Sequence, residues 1–338
     1  MKDLVATSIK YEQGRLWLLD QRQLPQQQCW LACDTVANLV EMIQASQIQG
    51  ASLLGVSASL LLAHLASQGA DREQLMAAAE QLAQANQTAV AMEHCLRRML
   101  AALETGDRLQ LIRTAEQIFA EDVQLCEQLA SQGAALLHSG ERILTQGHSG
   151  SLSCAGMGTA LAVVARAQQQ GKRPFVWLAE SRPLEQGQLS SWELSQLGVE
   201  HGLLCDNLAA SLMQQGKVDK VLLAAEGISR DGQVISQAGA YALAVLARHH
   251  QLPCYVVAPS TSLEHAEAAE PWQPATTPAT TPATTPATTQ TGTVLRYQPL
   301  VDRLPAELIS AWIFEHAVYD RQQVQQGCLA QIRDGRVR

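Results

Sequence analysis

A turn of small and titratable residues follows a short apolar segment in the middle of this 338-residue chain. Residues 142–146 have the apolar pattern of a strand, the turn is Gly147, His148, Ser149 and Gly150, and residues 152–170 have the composition of a helix. A strand, a glycine turn and a helix N-terminus together direct backbone N–H groups and the positive end of a helix dipole at one spot. In a doubly wound sheet such a spot lies in the crevice where ligands bind.

Two side chains near predicted strand ends can move protons. His148 titrates near neutral pH and can act as an acid or a base; the alternative is an ordinary turn histidine. Glu226 follows an apolar run at 220–225, and burial would raise its pKa toward that of a general base. The alternative is that Glu226 caps the following turn or pairs with a cation such as Arg182.

Asp206 ends another predicted strand and is placed for ligand contact. His148 with Ser149 or Ser151 and Asp206 invites comparison with a Ser-His-Asp triad. The sequence has no GxSxG elbow, so we set that arrangement aside. Gly156 and the glycine two residues later lack the spacing of a dinucleotide fingerprint.

The elements that position these residues fall into two regions. Residues 1–139 begin with a hairpin at 8–20, whose turn we place at Gly14 and Arg15, and continue with apolar residues three and four apart, which predicts a helical domain. Residues 140–338 alternate short apolar strands, also at 174–179, 202–206 and 253–258, with helices. This pattern predicts a Rossmann-like, doubly wound, mainly parallel sheet.

Two further segments lie in the second region. Residues 305–318 are expected to form a closing helix that begins at Pro305. The repeated PATT sequence within 271–292 cannot form a core, and we expect it to be an exposed excursion.

Composition excludes several classes of protein. A net charge of −8 without a basic block argues against nucleic-acid binding, and no apolar run is long enough to cross a membrane. The eight cysteines show no paired metal-ligand spacing, which indicates reduced thiols in a cytoplasmic protein without a bound metal. Cys29 and Cys33 form no more than half of such a site.

Several stretches resemble the family of methylthioribose-1-phosphate isomerases, which also holds ribose-1,5-bisphosphate isomerases and the alpha, beta and delta subunits of initiation factor 2B. The matching segments include LLDQRQLP at 18–25, ILTQGHSGSLSCAGMGTAL at 143–161 and AESRPLEQGQLSSWEL at 179–194, and they keep their order over nearly the whole chain. The resemblance implies a helical domain followed by a Rossmann-like domain, a homodimer with a pocket between domains, a sugar-phosphate ligand, no cofactor and a place in methionine salvage.

The family reaction converts an aldose 1-phosphate to a ketose 1-phosphate and needs an acid and a base. By resemblance the family's catalytic cysteine falls on Gly147 and its aspartate on Glu226. Of the groups that hold phosphate and sugar hydroxyls, the glutamine is kept as Gln186. The two arginine positions are occupied by Gln49 and Asn86, and an Asn-Lys pair is replaced by Ser236 and Gln237.

These replacements remove groups that could neutralise a phosphate or transfer a proton. Neutral amides stand where cations would neutralise a phosphate, and they replace charge-assisted bonds poorly. Glycine cannot transfer a proton, and Cys154 is seven residues away, roughly 10 Å along a helix. The substitutions favour loss of the family's own reaction.

Two classes of function follow. One is an isomerase of a sugar phosphate or a related polyol, with Glu226 as base, His148 as acid and Gln186 orienting the substrate, while Gly147, Ser149, Arg182 and Asp206 line the site. The other is a non-catalytic relative that binds a ligand or a partner, as the initiation-factor subunits do.

Overall fold

A computed structural model describes residues 1–85, 90–264 and 299–333. Asn86 and the Pro/Thr-rich segment 271–292 lie outside the described residues. Within the described ranges, no helix is long and apolar enough to cross a membrane.

The chain begins with a four-stranded antiparallel sheet. Its strands follow chain order: β1 (Leu4–Val5), β2 (Ile9–Glu12), β3 (Arg15–Leu19) and β4 (Trp30–Ala32). The expected hairpin is formed by β2 and β3, but its turn is one residue earlier than predicted. Gln13 and Gly14 take the positive φ angles of 53° and 76° that a tight hairpin turn requires, and Arg15 already pairs with Glu12.

Among the residues that the structure describes, five helices follow and form the predicted helical region. They are α1 (Val36–Gln44), α2 (Ala51–Ser67), α3 (Arg72–Ala85), α4 (Val90–Thr105) and α5 (Arg108–Ala134). α2 is apolar on nearly every side and lies at the centre, in contact with α4 and α5. Gly55 permits the close approach to α4, because a Cβ there would lie 2.8 Å from Cys95 Sγ.

The second region contains a seven-stranded sheet. Four of its strands are β5 (Arg142–Thr145), β6 (Phe175–Ala179), β7 (His201–Leu204) and β8 (Lys220–Ala224). The other three come later in the chain. The predicted strands are therefore confirmed within a residue or two of their expected ends. Their apolar side chains face helices α6 (Ala160–Gln169), α7 (Gly187–Gln196), α8 (Ala209–Gln214) and α9 (Ala240–His249).

The remaining strands complete two sheets. They are β9 (Gly227–Ile228), β10 (Val234–Gln237), β11 (Cys254–Val257), β12 (Val301–Leu304), β13 (Ala311–Ile313) and β14 (Val318–Asp320). The large sheet has the order β14-β13-β11-β8-β5-β6-β7, and its neighbours are parallel except β13 with β14. This confirms the mainly parallel α/β fold.

A small antiparallel sheet, in the order β12-β10-β9, was not expected from the sequence. The sequence pattern predicts a helical connection between the strands at 220–225 and 253–258. The helix α9 lies in this connection, but residues 227–237 before it form two strands that return over the end of β8, because Gly232, with a φ of 85°, turns the chain back.

The closing helix predicted for residues 305–318 is wrong. A short 3₁₀ turn at Ala306–Leu308 is followed by β13 and β14, and the last described elements are α10 (Arg321–Gln325) and α11 (Cys328–Arg333). Trp312 is fully buried in β13 and donates its indole N–H to Gly232 O at 3.2 Å. Pairing with β11 therefore outweighs the local helical pattern.

The helix predicted to start at Leu152 also begins later. Residues 151–153 make one 3₁₀ turn, and α6 starts at Ala160. Gly158 has a φ of 96° and forms a bridge with Gly150, while Thr159 N–H donates to Ser149 O at 2.8 Å. This fold-back separates the helix N-terminus from the Gly147 turn.

Candidate functional site

The candidate site lies where the strand order of the large sheet reverses. From β5 the chain continues to β6 and β7 on one side, whereas β8, β11 and β13 lie on the other. The crevice at the carboxyl ends of strands at such a switch point is the usual ligand position in an open α/β sheet. The Gly147 turn follows β5 and Glu226 follows β8, so the topology brings these two predicted site segments to one edge.

Gly147 is held by side chains from a neighbouring loop and helix. Its φ is 75°, its N–H donates to Ser181 Oγ at 2.8 Å, and its carbonyl accepts from Ser190 Oγ at 2.7 Å. A Cβ on Gly147 would overlap Gln237 Oε1. The Gly147 N–H is thus already bonded, and the space beside its Cα is occupied by an amide.

Gln237 reaches this position through the small sheet. Gln146 Nε2 donates to the Gln237 carbonyl at 3.1 Å and to the Ala238 carbonyl at 3.3 Å. Ser236 Oγ donates to the Ala224 carbonyl at 2.7 Å, at the end of β8. Ser236 therefore ties β10 to β8, and Gln237 lies against the turn after β5.

Two predicted ligand-binding amides bind each other. Gln186, which is 6% exposed, donates its Nε2 to Gln49 Oε1 at 2.8 Å. The partners come from the start of α7 and the loop before α2, and they are 137 residues apart. The structure thus brings Gln49 and Gln186 together.

Glu226 lies at the open side of this edge. Its N–H donates to Ile235 O at 2.8 Å. Desolvation by surrounding protein atoms raises the pKa of its carboxyl group, and the exposed surface of the residue limits that rise. In the part of the chain that the structure describes, no hydrogen bond or ion pair reaches its carboxylate, and Arg182 instead binds Glu185.

Asp206 shapes the loop beside Gly147. Its two carboxylate oxygens accept the N–H groups of Ser181 and Arg182, each at 2.8 Å. Asp206 therefore fixes the loop that supplies Ser181 Oγ to Gly147, and Arg182 remains exposed at the rim. These bonds join Asp206 to backbone amides and leave the Ser-His-Asp arrangement unformed.

His148 is enclosed beside a carboxylate that sequence reasoning missed. Its Nε2 lies 4.0 Å from Glu193 Oε1, on α7, and both side chains are almost fully buried. Burial lowers the pKa of His148 to about 4 and raises that of Glu193 to about 7. The signal for Glu193 in the sequence was a lone acid in the otherwise uncharged SSWEL segment.

Ser149 follows His148 in the sequence. Its hydroxyl is buried without a hydrogen-bond partner among the described residues. An ordered water or a ligand hydroxyl would satisfy such a group.

One group of side chains combines donor types that can hold a metal. Ligand atoms of Asp122, Cys126 and Cys154 lie within 4.8 Å of one another. The Asp122 carboxylate already accepts from Ser52 Oγ and from Ala155 N–H, the latter at 2.6 Å. These bonds give Asp122 a structural role, since they join α2 and α5 to the loop after β5.

Comparisons with known proteins agree with this architecture. Residues 27–320 match the Initiation factor 2 subunit family. The chain is 43% identical over 344 residues to the methylthioribose-1-phosphate isomerase of Klebsiella pneumoniae (strain 342), covering 98% of this chain and 99% of that protein. It is 42% identical over 339 residues to the enzyme of the same name from Yersinia pestis (strain Pestoides F), covering 96% of each.

Solved structures show the same relationship. The 5-methylthioribose 1-phosphate isomerase from Pyrococcus horikoshii OT3 superposes with a TM-score of 0.84 at 28% identity, over 97% of this chain and 96% of that one. The translation initiation factor eIF-2B subunit delta from A. fulgidus gives 0.81 at 30% identity, over 95% and 100%. The chain therefore belongs to the Initiation factor 2 subunit family, in which it is similar to proteins named methylthioribose-1-phosphate isomerase.

Proposed function

We propose that this chain is an aldose–ketose isomerase of a sugar phosphate or a related polyol, with Glu226 as base, His148 as acid and Gln186 orienting the substrate. The observation that carries the proposal is the position of Glu226. Its carboxylate follows β8 at the switch point, has a raised pKa and has no partner among the described residues. A raised pKa makes a carboxylate a stronger base, and a carboxylate without a partner is available to take a proton from a substrate.

The reaction needs two proton-transfer groups. In an aldose 1-phosphate, protonation of the ring oxygen by the acid breaks the bond between that oxygen and C1, and C1 keeps its phosphate oxygen and becomes electron-poor. The base then takes the proton from C2, whose electron pair forms an enol phosphate between C1 and C2. Return of that proton to C1 and transfer of the C2 hydroxyl proton back to the acid give the ketose 1-phosphate, so no external oxidant is involved.

The polar groups of the site favour a substrate rich in hydroxyl groups. Gln49, Gln186 and Gln237 are neutral amides, and each can both donate to and accept from a hydroxyl group. A doubly charged phosphate gains less from amides than from guanidinium groups. We therefore expect weak affinity for phosphate and a larger contribution from the sugar hydroxyls.

Other features of the proposal come from the family resemblance. We propose that the chain forms a homodimer in the cytoplasm. We also propose that it has two domains, 1–139 and 140–338, with the ligand pocket between them. Relatives of similar length carry the isomerase name at 42–43% identity, which supports a shared architecture for the site.

A non-catalytic role is the second candidate. Gln237 Oε1 occupies the space beside Gly147 that the family's catalytic side chain would need. The 30% identity to an initiation-factor subunit over 95% of this chain supports a role in binding a ligand or a partner.

Turnover of methylthioribose 1-phosphate and ribose 1-phosphate by the purified protein separates the two candidates. The first predicts ketose from the wild type and a loss of at least about a hundredfold in Glu226→Gln, as expected for a general base. Glu200→Gln is the matched control, because Glu200 is an exposed glutamate before β7. Absence of ketose from a folded wild type, with ligand binding by titration calorimetry, would support the second candidate.

A further inference from the structure

We propose that Glu193 is a positioning residue for His148: the two side chains share a proton, and Glu193 decides which imidazole nitrogen carries it. The assignment of His148 as the acid rests on the proposed function. The pair itself rests on contacts within the chain.

One buried polar atom of His148 and one of Glu193 lie close together without a hydrogen bond. His148 Nε2 and Glu193 Oε1 are 4.0 Å apart, and their side chains are 2% and 3% exposed. Each of these atoms is buried without a hydrogen-bond partner among the described residues. A buried polar atom without a partner is costly, and an approach of roughly 1 Å would give these two a direct hydrogen bond.

The other half of the carboxylate is anchored. Glu193 Oε2 accepts from Ser151 Oγ at 2.7 Å and from Leu152 N–H at 3.2 Å. Any side chain on Gly150 would overlap the carboxylate, so the glycine allows Glu193 to lie against the turn. With Oε2 fixed in this way, Oε1 is the oxygen that remains for His148.

The surroundings favour a shared proton over two separate charges. Burial disfavours both the imidazolium form of His148 and the carboxylate form of Glu193. Among the described residues, Cys154 is a further titratable group that interacts electrostatically with Glu193; its thiol pKa is raised well above the usual value, first by its contact with Cys126. The Asp122 carboxylate lies within 4.8 Å of the same thiol and also raises its pKa. The protons of such a pair leave in steps that belong to both residues.

Positioning follows from the identity of the nitrogen involved. Nε2 faces Glu193, so Nδ1 is the nitrogen that can address a bound substrate. When Glu193 is ionised, Nε2 carries the proton and Nδ1 accepts; when Glu193 is protonated, it can donate to Nε2 and the imidazole proton moves to Nδ1. In the state with protonated Glu193, the N–H at Nδ1 of His148 is the acid that can donate a proton to the substrate.

Histidine NMR tests the pair without any substrate. The full-length protein is labelled with ¹⁵N-histidine, and the His148 signals are identified by their loss in His148→Asn. We expect the wild-type His148 shifts to follow an ionisation near pH 7, the value to which burial raises the pKa of Glu193. Glu193→Gln keeps acceptors for Ser151 and Leu152 but cannot ionise, so this response should vanish and the tautomer ratio should change.

A second histidine provides the control. His64 Nε2 also lies 4.0 Å from a carboxylate, Asp34 Oδ1, but Asp34 is 36% exposed. Asp34→Asn should change the His64 signals and leave those of His148 as in the wild type. His148 shifts that are the same in the wild type and in Glu193→Gln would overturn the proposal.

Kinetic measurements test the positioning role of Glu193 and the proposed function of the chain independently of each other. If the wild type forms ketose, Glu193→Gln should lower kcat by at least about tenfold and flatten its pH profile near pH 7, with KM unchanged, while Asp34→Asn keeps wild-type rates. A paired His148 without ketose refutes the proposed function alone. Ketose formation with unaltered kcat and unaltered His148 shifts in Glu193→Gln refutes the positioning role alone.

Discussion

Gln237 Oε1 occupies the position at which a side chain on Gly147 would begin. The two residues are far apart in sequence, and β10 brings them together at the end of β5. The φ of 75° at Gly147 also disfavours any residue with a Cβ. The glycine and the glutamine are therefore a matched pair, and the cysteine that the resemblance puts at this position does not fit while Gln237 keeps its place.

Replacement of Gly147 by cysteine tests this match. Gly147→Cys should lower the free energy of unfolding by about 2–4 kcal/mol, from the left-handed backbone and the overlap with Gln237 together. The double variant with Gln237→Ala should recover the part that comes from the overlap. Urea unfolding of the single and double variants measures both quantities.

Gly171 offers the matched control for the backbone contribution. Its φ is 76°, and a Cβ there would meet no atom within 4 Å. Gly171→Cys should therefore cost only the backbone strain, about 1–2 kcal/mol. Equal losses in Gly147→Cys and Gly171→Cys would show that Gln237 does not restrict the site.

The buried pair of His148 and Glu193 predicts two opposing pH dependences. Glu193 has a pKa of about 7 in the fold against a usual 4.5, so its contribution to stability falls as pH rises through that window. His148 has a pKa of about 4 against a usual 6.5, so its contribution rises with pH between those values. The two effects cancel in the wild type between about pH 4.5 and 6.5.

Single variants should reveal each effect. Unfolding by urea at a series of pH values should show stability rising by up to about 3 kcal/mol from pH 4 to 6.5 in Glu193→Gln. In His148→Asn, stability should fall by a similar amount from pH 4.5 to 7. Two variants with the same sign of slope would contradict the assignment.

Restoring a cation at Gln49 should restore anion binding. Gln49→Arg places a guanidinium beside the start of α2, where helix N–H groups already favour negative charge. A charge-assisted bond is worth about 1.5–3 kcal/mol, so affinity for inorganic phosphate should rise at least about tenfold. Titration calorimetry at two salt concentrations measures the gain and its screening.

The opposite end of α2 supplies the control. Gln68 is exposed at the C-cap of the helix. Gln68→Arg adds the same charge to the protein without placing it near Gln186. The location of the site would be wrong if Gln68→Arg bound phosphate as tightly as Gln49→Arg.

The parallel strands were predictable because each is a short apolar run between helical segments. Residues 305–318 have apolar spacing that also suits a helix, and only the pairing of β13 with β11 shows that Trp312 belongs to the sheet. In the same way, the run after Ser151 looks helical until Gly150 pairs with Gly158. A pairing between distant strands decided the first case, and a local bridge between two glycines decided the second.

The same limit applies to the site. The resemblance identified Gln49 and Gln186 as individual positions, but the hydrogen bond between them joins residues 137 apart. Glu193 was missed because a glutamate on a helix is usually exposed, and its burial depends on the turn at Gly150. Residue types indicated the chemistry of the site, and the topology determined which groups meet.

The thiols of Cys126 and Cys154 are placed to form a disulfide under an oxidant. Their Sγ atoms are 3.7 Å apart, and both residues are buried between α5 and the loop after β5. Treatment with diamide, followed by thiol counting in denaturant, should remove two thiols and raise stability by about 3 kcal/mol through closure of the loop. Cys154→Ser should abolish the change, whereas Cys254→Ser, at a buried cysteine in β11, should leave it intact. Loss of two thiols in Cys154→Ser as well would show that other cysteines react.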